Sequence, residues 1–449
     1  MRIVHITAGA GGRLCGSCLH DNTLVRSLRA RGGDAILLPA YVPTTTDEEN
    51  VAAGRIVMGG VNVWLDQHVP AFRHLPRMFD AVLGPLLDSR WLLEWLSNRT
   101  GSTRAADLGP LTVSTLEGER GHQRREVEKL AAWLARDVRP DVVHLSNALL
   151  LGMARRVGQA TGARIVCSLS GEDIFVERIP APHYERVRAL LRERAAGVDR
   201  FVALNGAFAE FMAGYLDVPA AAITVIPHGL DRSGFPAVPP DLVARRRNRG
   251  GRLVVGSLAR VCPEKGLDQL VRALPLVLRH HDVEVHAAGA EVDAERGYLA
   301  RCLRLADELG VADRFRWLGQ VDRSAKLALL ASIDVFAMPT VFAEAKGLPV
   351  VEALAAGVPV VAPAHGAFPE LLDAERAGLL HAPGDPASLA AAILRLGTDG
   401  ELAVRCGRHG HALALDRHTA DGMAAAHERL YEGVLGRSGG SPPATSGPS

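Results

Sequence analysis

Short β-branched runs recur along the chain, and most are followed by a segment whose apolar residues repeat at helical spacing. Ile3–Ile6, Ala35–Leu38, Val142–His144, Ile165–Cys167, Phe201–Ala203 and Thr224–Ile226 are the first of them. Their apolar character is continuous rather than alternating, which predicts strands buried on both faces. A strand–helix rhythm of this kind predicts an α/β chain with a doubly wound parallel sheet.

The rhythm stops at "IPHGLDRSGFPAVPPDLVARRRNRGG", which is rich in Pro, Gly and Arg and reads as an interdomain linker. It then restarts with Leu253–Val255, Val283–His286, Phe315–Leu318, Val335–Ala337, Val358–Val361 and Gly378–Leu380. Two successive Rossmann-like domains are expected, over residues 1–230 and 253–415, joined by a linker over 231–252. A final amphipathic helix over 416–435 is expected to pack back on the first domain, and 436–449 has the composition of a disordered tail. An apolar segment at about 65–100, carrying Trp91 and Trp95, reads as a helical insertion, with an acceptor-binding or membrane-surface helix as the alternative. Ligands of such sheets bind beyond the carboxyl ends of the strands, so the cleft between two facing sheets is the expected site.

Composition removes several function classes. The net charge of +1 argues against a general nucleic-acid binder. Six scattered cysteines are too sparse for a disulfide framework. No apolar run approaches the roughly 18 residues of a membrane helix. The amino terminus enters a strand without a signal-peptide pattern, so a cytoplasmic protein is the expectation, with peripheral contact at the inner membrane face left open. Lysine is rare: Lys129, Lys265, Lys326 and Lys346 are the only four.

Two of these lysines fall in the most informative segments. In "VFAEAKGLPVVEALAAGVPVVAP", Glu344 and Lys346 lie on a loop after a strand, Gly347 permits a tight turn and Pro349 opens a short helix. Amides near Gly347 and Leu348 at that helix start form a ready anion site. Glu352, read as lying in the first turn, can accept hydrogen bonds from a ribose diol. Taken singly, each glutamate is as well explained by a helix cap or a solvated face. In "GSLARVCPEKGLDQLVRAL", Arg260 and Lys265 lie five apart on the loop after a strand and can neutralise a diphosphate. No Asp-x-Asp triplet occurs to suggest a Mg²⁺ pair, so no metal or cofactor is expected.

These residues resemble those of glycosyltransferase family 4, retaining enzymes of the GT-B fold. The family's two glutamates separated by seven residues match Glu344 and Glu352, and its diphosphate-holding Arg and Lys match Arg260 and Lys265. "VIPHGLDRSGF" resembles the family's "IPNGVD…F", and "APAHGAFPELL" and "AGLLHAPGDPASLAAAI" resemble later segments. Lys346 stands where an aromatic residue is usual. The resemblance implies a GT-B fold of two facing Rossmann-like domains with an interdomain cleft. It also implies metal-independent transfer of a sugar, with retention, from a nucleotide-diphosphate sugar to a glycan, lipid or small-molecule acceptor. The second glutamate then binds the ribose, the first lies near the donor sugar, and the Gly347–Leu348 amides contact phosphate.

By the same resemblance, "RPDVVHLSNALL" and "RIVCSLSGEDIF" line the acceptor side. His144 matches a family histidine, Ser146 and Ser170 replace two others, and Gly171 and Asp173 are retained. His144, Ser170, Asp173 and Glu344 are therefore the expected catalytic set. A histidine at a strand end is equally a packing residue. "GAGGRLCGSCLHDN" becomes the first βα loop, with Gly12 and Gly16 letting backbone approach the donor phosphates or the acceptor and Cys15 and Cys18 as small residues at a helix start. Three other readings stay open here: a binding-only relative, a GT-B sugar-nucleotide epimerase or hydrolase, and a dinucleotide oxidoreductase. The last lacks the Gly-x-Gly-x-x-Gly fingerprint.

Overall fold

The computed structural model describes residues 1–9, 16–54, 56–58, 108–291 and 297–436. Gly12, Cys15, the segment with Trp91 and Trp95, and nearly all of the expected tail lie outside the described residues. Within them, two six-stranded parallel sheets form. The first holds β1 (Arg2–Thr7), β2 (Asp34–Pro39), β3 (Val142–Leu145), β4 (Arg164–Ser168), β5 (Arg200–Ala203) and β6 (Ile223–Val225) in the order β2-β1-β3-β4-β5-β6. The second holds β7 (Leu253–Leu258), β8 (Val283–Ala288), β9 (Phe315–Trp317), β10 (Val335–Ala337), β11 (Val360–Pro363) and β12 (Gly378–His381) in the order β12-β11-β10-β7-β8-β9. All twelve runs read from the sequence are strands. The α/β class with two facing Rossmann-like domains is therefore the architecture of the molecule.

The strand orders locate the crevices. From β1 the chain builds outward to β2, then crosses back to place β3 on the other side of β1. In the second sheet β7 leads out to β8 and β9 before β10 returns beside β7. At each reversal the two connections leave in opposite directions and open a gap at the carboxyl edge. Those gaps are flanked by the loops after β1 and β3 in one domain and after β7 and β10 in the other.

Two local outcomes differ from the sequence reading. Val358 was expected in β11, but its N–H bonds back to Ala353 O at 3.0 Å and that of Gly357 to Leu354 O at 2.9 Å, with Gly357 at φ +71°. This left-handed helix closure uses Val358, so the strand begins at Val360. The expected linker contains a helix, Leu242–Arg247, capped by Asp241 through Ala244 N at 2.9 Å. Arg249 from its far end reaches the buried Asp334 at 2.5 Å, so this part of the linker is bound to the second domain.

The chain closes on its own beginning. Thr419 caps the Ala420–Val434 helix, whose Met423, Ala424 and Tyr431 pack with Leu24, Val25 and Leu28 of the Gly16–Ala30 helix. Arg31 pairs with Asp421 at 2.7 Å and Glu428 at 2.9 Å at the rim. Beneath lies a buried cluster of histidines: His5, His20, His144, His228 and His427. His20 Nδ1 meets His228 Nδ1 at 2.6 Å, His5 Nε2 lies 2.9 Å from Asp21, and the His5 and His144 ring centroids are 4.5 Å apart.

Burial, reinforced by repulsion from neighbouring rings, pushes His20 and His144 well below the ordinary histidine range, and burial with the charges of His418 and Lys346 takes His228 to about 3. Burial likewise takes His427 to about 4. A folded-state value below the unfolded one means the unfolded chain binds more protons between them. The stability held in these neutral rings is therefore complete above about pH 6.5 and is lost as pH falls toward 4. Each ring contributes a slope approaching about 1.4 kcal/mol per pH unit. Urea midpoints measured from pH 8 to pH 4.5 should fall steeply below pH 6.5; a flat profile would contradict the buried neutral cluster.

Candidate functional site

The loop after β7 carries Arg260, exposed, and Lys265, at the end of a short turn over Pro263–Lys265. Gly266 follows at φ +68° and caps the Leu267–Leu278 helix, whose Leu267, Leu270, Val271 and Leu274 are buried. Val341 N–H donates to Glu264 O at 3.0 Å, which ties this loop to the one after β10. Phe342 lies under the Lys265 ammonium, 4.9 Å from Nζ to ring centroid.

The loop after β10 carries Glu344 and runs into the Leu348–Ala355 helix. Gly347 stands at φ +61°, and a Cβ there would run into Leu371, so only glycine suits the turn. Val350 and Val351 N–H both donate to Gly347 O, at 2.9 and 3.1 Å, and no side chain caps the helix start. Among the described residues, the Gly347 and Leu348 N–H groups meet no backbone acceptor and are left for an anion. Glu352 lies in the second turn rather than the first, and is 4% exposed.

Lysines hold both glutamates. Lys265 Nζ hydrogen-bonds Glu344 Oε2. Burial alone would raise the Glu344 carboxyl, but the charge and hydrogen bond of Lys265, joined by Lys346 and Arg260, bring it below its ordinary value. Lys326, from the Arg323–Ser332 helix, reaches Glu352 Oε1 at 2.6 Å and, across the cleft, Asp47 Oδ2 at 2.7 Å. Burial would lower Lys326, yet its two carboxylates hold it above the ordinary lysine value. Arg260, Lys265, Glu344, Gly347, Leu348 and Glu352 are thus gathered at one crevice. Lys326 and Asp47 were missed; the rarity of lysine was the signal for the first, and nothing local marked the second.

On the opposite side, Gly16 begins the Gly16–Ala30 helix, and a Cβ on it would sit 3.8 Å from Leu348 Cδ2. Two helix starts therefore face each other. Ser17, in the first turn, accepts a hydrogen bond from Lys346 Nζ. Gly171, at φ +88°, brings the loop after β4 to the Glu344 loop; a Cβ there would lie 3.5 Å from Ala345 Cβ. This places Ser170 and Asp173 beside that loop. Asp173 Oδ1 is buried without a hydrogen-bond partner, and burial, followed by the Glu172 charge, pushes its carboxyl up to about 6. His144 stands apart: it is fully buried, with Nδ1 at 2.7 Å from Tyr431 Oη and Nε2 at 2.8 Å from Ser168 Oγ. Its surroundings are those of the packing alternative.

Glu172 also escaped the sequence reading. It is buried, and accepts from Ala148 N–H at 2.9 Å and Ser170 N–H at 2.6 Å. One carboxylate therefore pins the loops after β3 and β4 together.

Two family models match the chain: Glycosyltransferase Family 4 over residues 97–233 and Glycosyl transferases group 1 over residues 241–412. The chain is 32% identical over 288 residues to a GDP-mannose-dependent alpha-(1-6)-phosphatidylinositol monomannoside mannosyltransferase of Mycobacterium tuberculosis, covering 62% of this chain and 71% of that one. It is 30% identical over 314 residues to 2-deoxystreptamine glucosyltransferase of Streptomyces kanamyceticus, covering 66% and 77%. Among solved structures, Anabaena HepE in complex with UDP superimposes with a TM-score of 0.68 at 18% identity, over 96% of this chain and all of that one.

Replacing Glu172 by Ala leaves two N–H groups at the loop junction without their acceptor. A loss of about 2–4 kcal/mol is expected, read from urea unfolding. A variant as stable as the parent would mean that the carboxylate does not hold these loops.

Proposed function

The chain belongs to glycosyltransferase family 4, and we propose that it works without a metal ion and retains the anomeric configuration of a sugar taken from a nucleoside-diphosphate donor. Transfer of a sugar to an acceptor follows from the family. The observation that carries the finer reading is the gathering of Arg260, Lys265 and an uncapped helix start at the β7/β10 crevice, with Glu344 and Glu352 on the same loop and helix.

Each group has a task in this reading. Glu352 accepts from the ribose hydroxyls; burial raises its carboxyl above the ordinary value, and the charge and hydrogen bond of Lys326 work against that rise. Arg260, Lys265 and the Gly347–Leu348 amides bind the diphosphate and stabilise the charge it gains as the bond to the sugar breaks. Glu344 faces the donor sugar and fixes Lys265. Ser170 and Asp173 line the acceptor side, where a carboxyl titrating at about 6 is suited to hold a reacting hydroxyl. The bond from the anomeric carbon to the phosphate oxygen breaks, that to the acceptor oxygen forms on the same face, and the acceptor proton passes to the leaving phosphate.

The relatives suggest GDP-mannose as a first donor, and phosphatidylinositol monomannoside and 2-deoxystreptamine as first acceptors. With EDTA present, nucleotide release should match that without it, and Lys265→Ala and Glu352→Ala should each lower kcat/KM by about 10²–10³-fold. The anomeric coupling of the product, read by NMR, should equal that of the donor. Variants as fast as the parent would overturn the site, loss of turnover in EDTA the metal independence, and an inverted product the retention.

A further inference from the structure

Among the described residues, the three lysines at the cleft differ in how their charge is met. Lys265 is paired with Glu344, and Lys326 with Glu352 and Asp47. Lys346 has no carboxylate within ion-pair distance among the described residues; its ammonium donates to the neutral Ser17 hydroxyl. Its charge nevertheless reaches both sides of the cleft: it acts on Glu344 on its own loop and on Glu172 and His228 of the amino-terminal half.

This is an unfavourable place for an isolated cation. Ser17 lies in the first turn of the Gly16–Ala30 helix, and Lys346 immediately precedes the cap of the Leu348–Ala355 helix. Both helices present their positive ends there. A lysine held between two such ends, with no carboxylate at ion-pair distance among the described residues, raises a positive potential that an anion relieves. The charges favour an anion. Over the whole crevice Arg260, Lys265 and Lys326 are matched by Glu344, Glu352 and Asp47, so Lys346 supplies the net positive charge that attracts a sugar-linked diphosphate.

We propose that Lys346 is a donor-binding residue that grips the sugar-proximal phosphate of the diphosphate, with Ser17 as its docking point on the opposite domain. This rests on the nucleoside-diphosphate donor of the proposed function. The ammonium balances the charge that appears on the phosphate as the sugar leaves, while the acceptor proton goes to the phosphate oxygen. Because the grip spans the cleft, a captured donor phosphate reinforces the closed arrangement of the domains.

The test compares the parent with Lys346→Gln, Lys346→Arg and Ser17→Ala. GDP and UDP, and GMP and UMP, are the ligands, with binding followed by calorimetry and melting used to confirm folding. Lys346→Gln should bind the diphosphate about 10–100-fold more weakly but the monophosphate within about threefold, while Lys346→Arg should recover most of the difference. In turnover it should lower kcat as well as raise KM, since the phosphate gains charge in the transition state. Ser17→Ala should weaken diphosphate binding less than Lys346→Gln. A folded Lys346→Gln protein that binds GDP or UDP as the parent does would overturn the proposal, as would equal losses for mono- and diphosphate. If the parent itself binds no nucleoside diphosphate, the donor reading fails and this proposal with it.

Discussion

A charge shut away from water has to find a partner, and that requirement shapes the whole cleft. An unpaired buried ion costs several kcal/mol. Lys326, 7% exposed, meets it by standing between Glu352 and Asp47, and Lys265 by closing on Glu344. Each pairing joins parts of the chain that are remote in sequence. Lys265 brings the β7 loop to the β10 loop, and Lys326 ties the second domain to the loop after β2. The proposed donor site is consequently assembled before a donor arrives: its carboxylates are paired, aimed and fixed, and binding does not have to order them one at a time.

Much of this site was legible because each of its parts is a short local motif at a strand end. A parallel sheet sends its functional loops to one edge, so a strand followed by Arg260 and Lys265 and another followed by Glu344 and Gly347 had to share an edge. Gly347 and Pro349 punctuate a helix start by local stereochemistry alone. The misplacement of Glu352 by one residue, which moves it from the first turn to the second, has the same local origin: Leu348, not Pro349, is the first helical residue, and counting from a motif gives no dihedral angles. The glycosyltransferase resemblance added the roles, which spacing could not.

What was illegible depends on distant partners. Asp47 looked like one acid among several in "TTTDEEN" until Lys326 met it across the cleft. Glu172 is adjacent to the anticipated Asp173, but its function is set by Ala148 on another strand end. His144 matched a family position by sequence, yet Tyr431 of the closing helix and Ser168 occupy both its nitrogens. The other buried histidines are spread from β1 to the final helix, and only the tertiary structure brings them together. Helical periodicity was similarly hidden in the linker, where a six-residue segment so rich in arginine shows no apolar stripe.

The loop carrying Glu344 is held from both domains, and this couples its geometry to closure. Ala345 is counted with the core of the amino-terminal domain at 4% exposure, although it belongs to the other half of the chain. Its carbonyl accepts from Asn205 Nδ2 at 2.8 Å, while Oδ1 of the same Asn205 caps the Gly206–Leu216 helix through Phe208 N–H at 2.9 Å. Nearby, Gly206 N–H donates to Glu370 at 2.8 Å, and Arg178 pairs with Glu264, next to Lys265. Asn205 therefore needs no rearrangement to meet the second domain: one end is committed to its own helix, and the other is presented for the contact. Separation of the domains would free Ala345 and loosen the backbone between Glu344 and Gly347, the stretch that must place a carboxylate and two amides around a donor. In the proposed reaction, closure and the formation of the competent site are then the same step, and water is excluded at the moment the leaving group meets its cations.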